Sequence, residues 1–314
     1  MVRKNEFNAF LMREARKQGI KVKTYDENLE YIEISKNGKS YLMYGGVVSD
    51  RSSASATILC RHKYFTYKYL QKNRYPVLPK VKTSLISKVN KFLVKYNEIV
   101  IKPTNQKQGR GITVGITSRQ ELKKAWELAR EFSNFVVAEK HFDGDDIRVL
   151  VVNYKEVFAV KRIPAYVVGN GRSVIENLIK AKNKKGFPGK RWKKIEIDDA
   201  MRLFLRKNKL KLKSVPGKDE MIVLRGTANI HTGGEAHDIT DELPSEIKKE
   251  SIRLAKQLKL PVIGVDYLVS EDYRKRYIIE INADPGVKLH HNPVVGKKRN
   301  PTKVMLDGLF EDRG

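Results

Sequence analysis

Two apolar runs, Ile263 to Val269 and Tyr277 to Ile281, are separated by a short polar connection within GVDYLVSEDYRKRYIIEINADP. Runs of this kind pair as antiparallel neighbours, so the segment reads as a β-hairpin. Alternate side chains of a strand share a face. Glu280 and Asn282 therefore point the same way, and the pairing can bring Asp266 opposite them. Two carboxylates and an amide are hard oxygen donors of the type that suits Mg²⁺, which takes one or two carboxylates and keeps its remaining positions for water and phosphate. Singly, each is as well explained as a polar-face residue of an exposed hairpin. Together they lie between flanks that read as buried (Val262, Ile263, Val265; Ile278, Ile279, Ile281). Burying unpaired charge is costly, and a bound cation accounts for both features.

The rest of the composition narrows the class. At 314 residues with 40% hydrophobic content, the chain can bury a sizeable core in two or three subdomains. No run approaches a membrane span, and charges interrupt the start where a secretory leader would be apolar. A cytoplasmic protein with no membrane partner is expected. Cys60 is the single cysteine, which excludes an internal disulfide and a multi-cysteine metal site. The net charge of +27 is regional: residues 61–110 and 180–218 each carry +12. Such blocks can neutralise a phosphodiester backbone, steer an anionic molecule or acidic protein, or be solvated helix faces, the commonest case.

In chain order, residues 2–18 carry Phe7, Phe10, Leu11 and Ala15 at helical spacing, and Gly19 closes the helix. Strands follow at 20–25, 31–35 and 39–44, the last two joined by an Asn37-Gly38 turn. Residues 61–75 read as one helix broken before Pro76. Its aromatic residues, Tyr64, Phe65, Tyr67 and Tyr69, suit a core-plus-solvated face better than a base-stacking platform. IVIKP (99–103) is a buried strand delivering Lys102, and QKQGRG (106–111) leads into a strand at 112–116. This is a glycine-bearing hairpin flap whose backbone can approach phosphate oxygens; an ordinary mobile hairpin tip is the plainer reading. Ser118 and Glu121 form a capping box for a helix to Phe132.

The strand 135–139 then runs into a turn where Phe142 can sandwich an aromatic base and Asp146 can accept from ribose hydroxyls. Strands 147–152 and 156–162 form a second hairpin with Arg148 and Arg162 near its ends. Ser173 is expected to cap a short helix. Residues 186–218 contain a helix over 198–207 and read as an exposed, lysine-rich excursion. Arg225 stands at a strand end. Gly233-Gly234 follow in a loop whose amides can hold an oxyanion. His231 and His237 read as loop hydrogen-bonding residues rather than metal ligands. An amphipathic helix (246–258) leads into the opening hairpin, and a terminal helix follows it.

The ordered set RHKYFT, IVIKP, QGRG, VVAEKHFDGDDIRVLVV, KRIPAYVVGNG, LRGTANIHTGG, GVDYLV and IIEINADPG resembles the ATP-grasp superfamily. Within it the set is most similar to the ATP-grasp regions of cyanophycin synthetase and of the bifunctional glutathione synthetase. The resemblance spans about residues 57–310 and lacks any Mur-ligase-like or glutamate–cysteine ligase module, so a stand-alone version is expected. It implies an α+β fold: two α+β subdomains clamping ATP (57–140, the small flap subdomain; 141–314, carrying the metal site) behind a short N-terminal α/β domain (1–56). It implies that Lys63 and Lys102 contact the nucleotide phosphates and that Gly109, Arg110 and Gly111 form the flap. Glu139, Lys140 and Phe142 would belong to the adenine hinge, and Asp146 would take the ribose. Asp266, Glu280 and Asn282 match the Mg²⁺ ligands, with Mn²⁺ able to substitute. Arg162 and Arg225 match arginines that stabilise the transferring phosphoryl group and acyl phosphate, beside Gly233 and Gly234. The arginine that D-alanine ligases place two residues before the first metal carboxylate is replaced by Gly264.

The expected activity is thus an ATP-dependent, ADP-forming carboxylate–amine ligase. It would act through an acyl phosphate on a small-molecule amino acid or peptide, with an anionic acceptor or acidic carrier protein also compatible with the basic blocks, in a homo-oligomer. A nucleic-acid-binding protein on the same scaffold and a kinase-like use of the site are the rival readings, and the intact Lys102, Asp266, Glu280 and Asn282 weigh against the first.

Overall fold

The computed structural model describes residues 6–25, 31–104, 111–187 and 192–311. The chain begins with α1 (Glu6–Lys17), which buries Leu11 and Ala15 and ends where Gly19 takes a left-handed conformation (φ 68°). Next come β1 (Lys21–Thr24), β2 (Tyr31–Lys36), β3 (Lys39–Tyr44) and β4 (Val48–Ser49), a four-stranded sheet in the order of the sequence. Asn37 and Gly38 both have positive φ, 50° and 73°, the backbone that a two-residue hairpin turn demands.

The helix expected over 61–75 is present as α3 (Lys63–Lys72), and a further helix that was not expected, α2 (Ala54–Arg61), stands directly before it. Between them His62 leaves helical geometry (φ −110°, ψ 82°), and the Leu59 carbonyl at the end of α2 accepts from the His62 N–H at 2.9 Å and from the Thr66 hydroxyl at 2.7 Å. Then follow β5 (Lys80–Thr83), α4 (Ile86–Tyr96), β6 (Ile99–Pro103), β7 (Thr113–Ile116), α5 (Arg119–Phe132) and β8 (Val136–Lys140). They build a sheet ordered β5-β8-β6-β7 over a core that includes Val89, Leu93, Ile99, Ile101, Leu122 and Val136. Both α4 and β5 went unread within the first basic block. The capping box of α5 is present, with Ser118 accepting from the Glu121 amide at 3.2 Å. Ser118→Ala should lower stability by about 1 kcal/mol in denaturant titration.

The larger sheet is ordered β13-β10-β9-β14-β15, all antiparallel. In chain order β9 (Asp145–Val152), β10 (Glu156–Ile163), β11 (Tyr166–Val168), α6 (Ile175–Lys185), α7 (Asp199–Lys207), β12 (Met221–Val223), β13 (Glu235–Asp238), α8 (Ser245–Leu258), β14 (Val262–Val269), β15 (Arg276–Asn282), α9 (Lys288–His291) and α10 (Pro301–Phe310) complete the chain. One sheet face, with Ile147, Val149, Val151, Ile263, Val265 and Tyr267, packs against α8, α2 and α3. Leu150, Val152 and Val262 pack instead with side chains of α1, β2 and α10, so the N-terminal segment shares a core with the chain's far end.

The excursion is less exposed than its lysine content suggested. Together with α6, β11 and β12 it buries Ile195, Met201 and Leu205 in a core of its own. Ser173 does not cap α6: Val174 is the N-cap and makes no side-chain cap bond, while the Ser173 hydroxyl accepts from Asn170 at 3.0 Å. Among the described residues no helix is long and apolar enough to cross a membrane.

Candidate active site

The period of two in four neighbouring strands builds the site. Asp238, Val160, Arg148, Asp266 and Glu280 stand directly opposite one another across β13, β10, β9, β14 and β15. Arg162 and Asp146 are paired in the next row, and Asn282 lies two residues beyond Glu280, opposite Gly264. Arg148, Arg162, Asp146, Asp266, Glu280 and Asn282 therefore share one sheet face. A register shift beside Asp266 leaves Ile279 as the extra residue of a bulge, a device that re-aims the side chains next to it. At Gly264 a Cβ would lie 2.8 Å from Pro285 Cβ, so the loop after Asn282 folds back over a position that only glycine allows.

Asp266 is 2% exposed, and charge complementarity makes its burial tolerable. Arg148 donates to both of its carboxylate oxygens at 2.7 Å, a bidentate pair, and Arg162 adds a contact at 3.1 Å. Burial alone would raise the Asp266 pKa, but the two guanidinium groups outweigh it and hold the carboxyl well below its ordinary range. Asp146, bonded to Arg162 at 2.7 Å, moves the opposite way: burial and the nearby Asp266 charge push it up. The ribose expectation for Asp146 thus meets a carboxylate already engaged by Arg162. Among the described residues Glu280 pairs with the half-exposed Lys63, at 3.3 Å. A buried amide nitrogen of Asn282 has no hydrogen-bond partner among the described residues. The carboxylates of Asp266 and Glu280 and the amide oxygen of Asn282 are a hard-oxygen donor set on adjacent strands, chemistry that fits a divalent cation sharing Asp266 with the arginines, whereas the unpartnered amide nitrogen is a hydrogen-bond donor and no ligand.

A second cluster sits on the smaller sheet. Glu139, 2% exposed, is opposite Lys80 in β5, and both Lys80 (2.5 Å) and Lys102 (2.9 Å) bind its carboxylate. Burial opposes the charge, but Lys102 and Lys80 hold the Glu139 pKa down at about 2. Its folded value lies below the unfolded one. The pair therefore contributes its full stability above about pH 4.5 and loses it as pH falls toward 2. An acid-unfolding titration should lose about 3 kcal/mol less in Glu139→Gln than in the parent over that window. Lys140 is exposed, with its ammonium 5.9 Å from the centre of the Tyr96 ring. Phe142 meets Tyr277 edge-on at 5.0 Å. A Cβ on Gly144 would lie 2.5 Å from the Phe142 ring, so glycine lets the turn close under Phe142.

β6 and β7 form the expected hairpin. Gly109 and Arg110 lie outside the described residues. Gly111 has φ 69° and would place a Cβ 2.8 Å from the Phe132 ring, so only glycine fits. Arg225 is 7% exposed. It donates to the Glu196 carbonyl at 2.7 Å and lies 3.0 Å from Asp198, the N-cap of α7, while its Nε is buried with no partner among the described residues. Gly233 (φ 92°) packs against Ile195, and Gly234 against the Ile163 and Asn229 carbonyls. Their N–H groups donate within the loop, to Ile230 at 3.3 Å and Asn229 at 3.1 Å. In this conformation the two glycines provide close packing rather than free donors, which amends the oxyanion expectation for them. His237 lies in β13, opposite Lys161, rather than in the loop expected for it, and bonds Glu235 of the same strand at 3.0 Å.

Two residues of these clusters had no role assigned from sequence. Arg148 stands two positions after Asp146, and that same-face spacing was its only signal. Lys80 carried none, because β5 itself was not recognised.

Comparison with known proteins gives two family matches. Residues 70–185 match the ATP-grasp domain of prokaryotic glutathione synthetase, and residues 225–295 match the RimK-like ATP-grasp domain. Cyanophycin synthetase of Trichormus variabilis is 39% identical over 221 residues, which is 68% of this chain and 24% of that protein. The glutathione biosynthesis bifunctional protein GshAB of Clostridium perfringens is 32% identical over 314 residues, 96% of this chain and 40% of that protein. The crystal structure of a bifunctional glutathione synthetase from Pasteurella multocida superposes with a TM-score of 0.71 at 26% identity, covering 97% of this chain and 43% of that one. The chain spans less than half the length of the curated relatives it matches.

Proposed function

This chain belongs to the ATP-grasp superfamily, and on that premise we propose that it is an ATP-dependent, ADP-forming carboxylate–amine ligase acting on an amino acid or peptide. The observation that carries the reading is the shared face of Asp266, Glu280 and Asn282 beside Arg148 and Arg162. Lys63 and Lys102 are assigned to the nucleotide phosphates. The hinge 139–142 is assigned to adenine and the 106–111 loop to the flap, with domain limits at 1–56, 57–140 and 141–314. Asp266, Glu280 and Asn282 would hold Mg²⁺, which on binding neutralises charge on the phosphates and on the transferring phosphoryl group.

The remaining chemistry falls to the protein's own groups. A carboxylate oxygen of the acyl-donating substrate attacks the γ-phosphorus in line, and ADP leaves with the electron pair of the broken P–O bond. Arg162, fixed between Asp146 and Asp266, is oriented without further reorganisation toward charge on that group. An amine then attacks the acyl phosphate carbon. The carbonyl oxygen becomes an oxyanion before phosphate departs, and the Nε–H of Arg225, which has no partner among the described residues, is the donor suited to it. The flap excludes water, which would otherwise hydrolyse the acyl phosphate.

The test is phosphate and ADP release from ATP and Mg²⁺ with pooled amino acids and γ-glutamyl dipeptides, using Glu280→Gln as the blank. Release that depends on a pool member and yields a product one water lighter than its parts supports the ligase. Release without any amine would favour a kinase-like use of the site.

A further inference from the structure

Lys80 has no part in the chemistry above, yet its surroundings are specific. Its side chain is 9% exposed and its ammonium is 2.5 Å from one Glu139 oxygen. The ring of Tyr67, itself 5% exposed, lies 5.4 Å away on another side. Lys102 holds the other Glu139 oxygen at 2.9 Å and is the more accessible of the two lysines, at 28% against 9%. One buried carboxylate thus has two lysine partners, an inner one largely enclosed by protein and an outer, more accessible one.

That redundancy has a consequence if Lys102 serves the nucleotide. A buried carboxylate stripped of its only cation is strongly disfavoured. With Lys102 as sole partner, reaching a phosphate would strand Glu139, and the lysine would stay where it is. With Lys80 in place, Glu139 keeps a charge-assisted partner after Lys102 departs. We infer that Lys80 is a positioning residue that frees Lys102 for the nucleotide, by remaining on Glu139 when Lys102 swings to the phosphates. This rests on the assignment of Lys102 to the phosphates. A direct phosphate contact by Lys80 fits less well, because Tyr67 and Glu139 already enclose its ammonium.

The test compares wild type, Lys80→Met, Glu139→Gln and the double variant in two measurements. In the first, the nucleotide-free chains are treated with an amine-acylating reagent and the rate at Lys102 is followed by mass spectrometry. Lys80→Met should slow labelling of Lys102 and the double variant should restore it. Glu139→Gln alone, which keeps the sheet's packing, should label faster than wild type. In the second, ATP with Mg²⁺ is titrated calorimetrically. Lys80→Met should weaken binding by about tenfold, because only the fraction with Lys102 released is competent, and the same change made in the Glu139→Gln background, the reference that absorbs any hinge effect of Glu139 itself, should weaken it little further. Equal Lys102 labelling in wild type and Glu139→Gln, or a Lys80→Met loss of ATP affinity as large in the Glu139→Gln background as in wild type, overturns the proposal. If Lys102→Met binds ATP like wild type, the assignment of Lys102 itself fails, and the proposal with it. The nucleotide-free labelling separates that failure from a failure of the pairing.

Discussion

Asp266→Asn should abolish ADP release and also weaken the fold, whereas Glu280→Gln should abolish release with stability close to the parent's. The difference follows from burial and partners. Asp266 is 2% exposed and is the shared counter-ion of Arg148 and Arg162 through three hydrogen bonds. An amide in its place offers one acceptor oxygen and turns an N–H₂ toward a guanidinium. Two largely buried cations then lose their common anion, a change that costs about 3–5 kcal/mol when one partner of a buried pair is removed. Glu280 is only partly buried and pairs with a Lys63 side chain that is 53% exposed, an interaction worth about 0–1 kcal/mol. Denaturant midpoints measured beside ADP release separate the two effects. Equal stability of the two variants would mean that the arginine pair does not depend on Asp266.

Arg225→Ala should lower amine-dependent turnover by about 10²–10³-fold, the loss seen when a single oxyanion donor is removed, while ATP affinity stays near the parent's. Arg225 reaches Glu196 and Asp198 in the excursion, not the Lys80–Lys102–Glu139 cluster, so nucleotide binding has no direct route to feel the change. Asp198 still caps α7 through the Met201 amide at 2.9 Å, which keeps the local fold intact. Parallel losses of turnover and ATP affinity would contradict the assignment.

How far the sequence carried these conclusions depended on the range of each interaction. The hairpin of β14 and β15 was legible because alternation and a polar link are local signals, and its register sets Asp266 opposite Glu280 as read. The α5 capping box and the Asn37-Gly38 turn were local in the same way. The Arg148–Asp266 pair joins residues 118 positions apart, and the pairing of β9 with β14 that creates it leaves no mark in either segment. The Lys80–Glu139 pair has the same origin in the pairing of β5 with β8. The helix read over 61–75 is present as α3, while α2 just before it gave little signal because its eight residues offer few periodic apolar positions and bury only Ala56 and Cys60. The excursion misled through its lysines, whose charge masked the apolar Ile195, Met201 and Leu205 that pack beneath them.

The central claim is that a substrate carboxylate takes the γ-phosphoryl group before an amine displaces it. The direct measurement is oxygen transfer: the amino-acid and dipeptide pool is enriched with ¹⁸O in its carboxylates and turned over with ATP and Mg²⁺, and the released phosphate is analysed by mass spectrometry. Passage through an acyl phosphate places one carboxylate ¹⁸O in each phosphate released. Phosphate released without ¹⁸O from the pool would contradict the account.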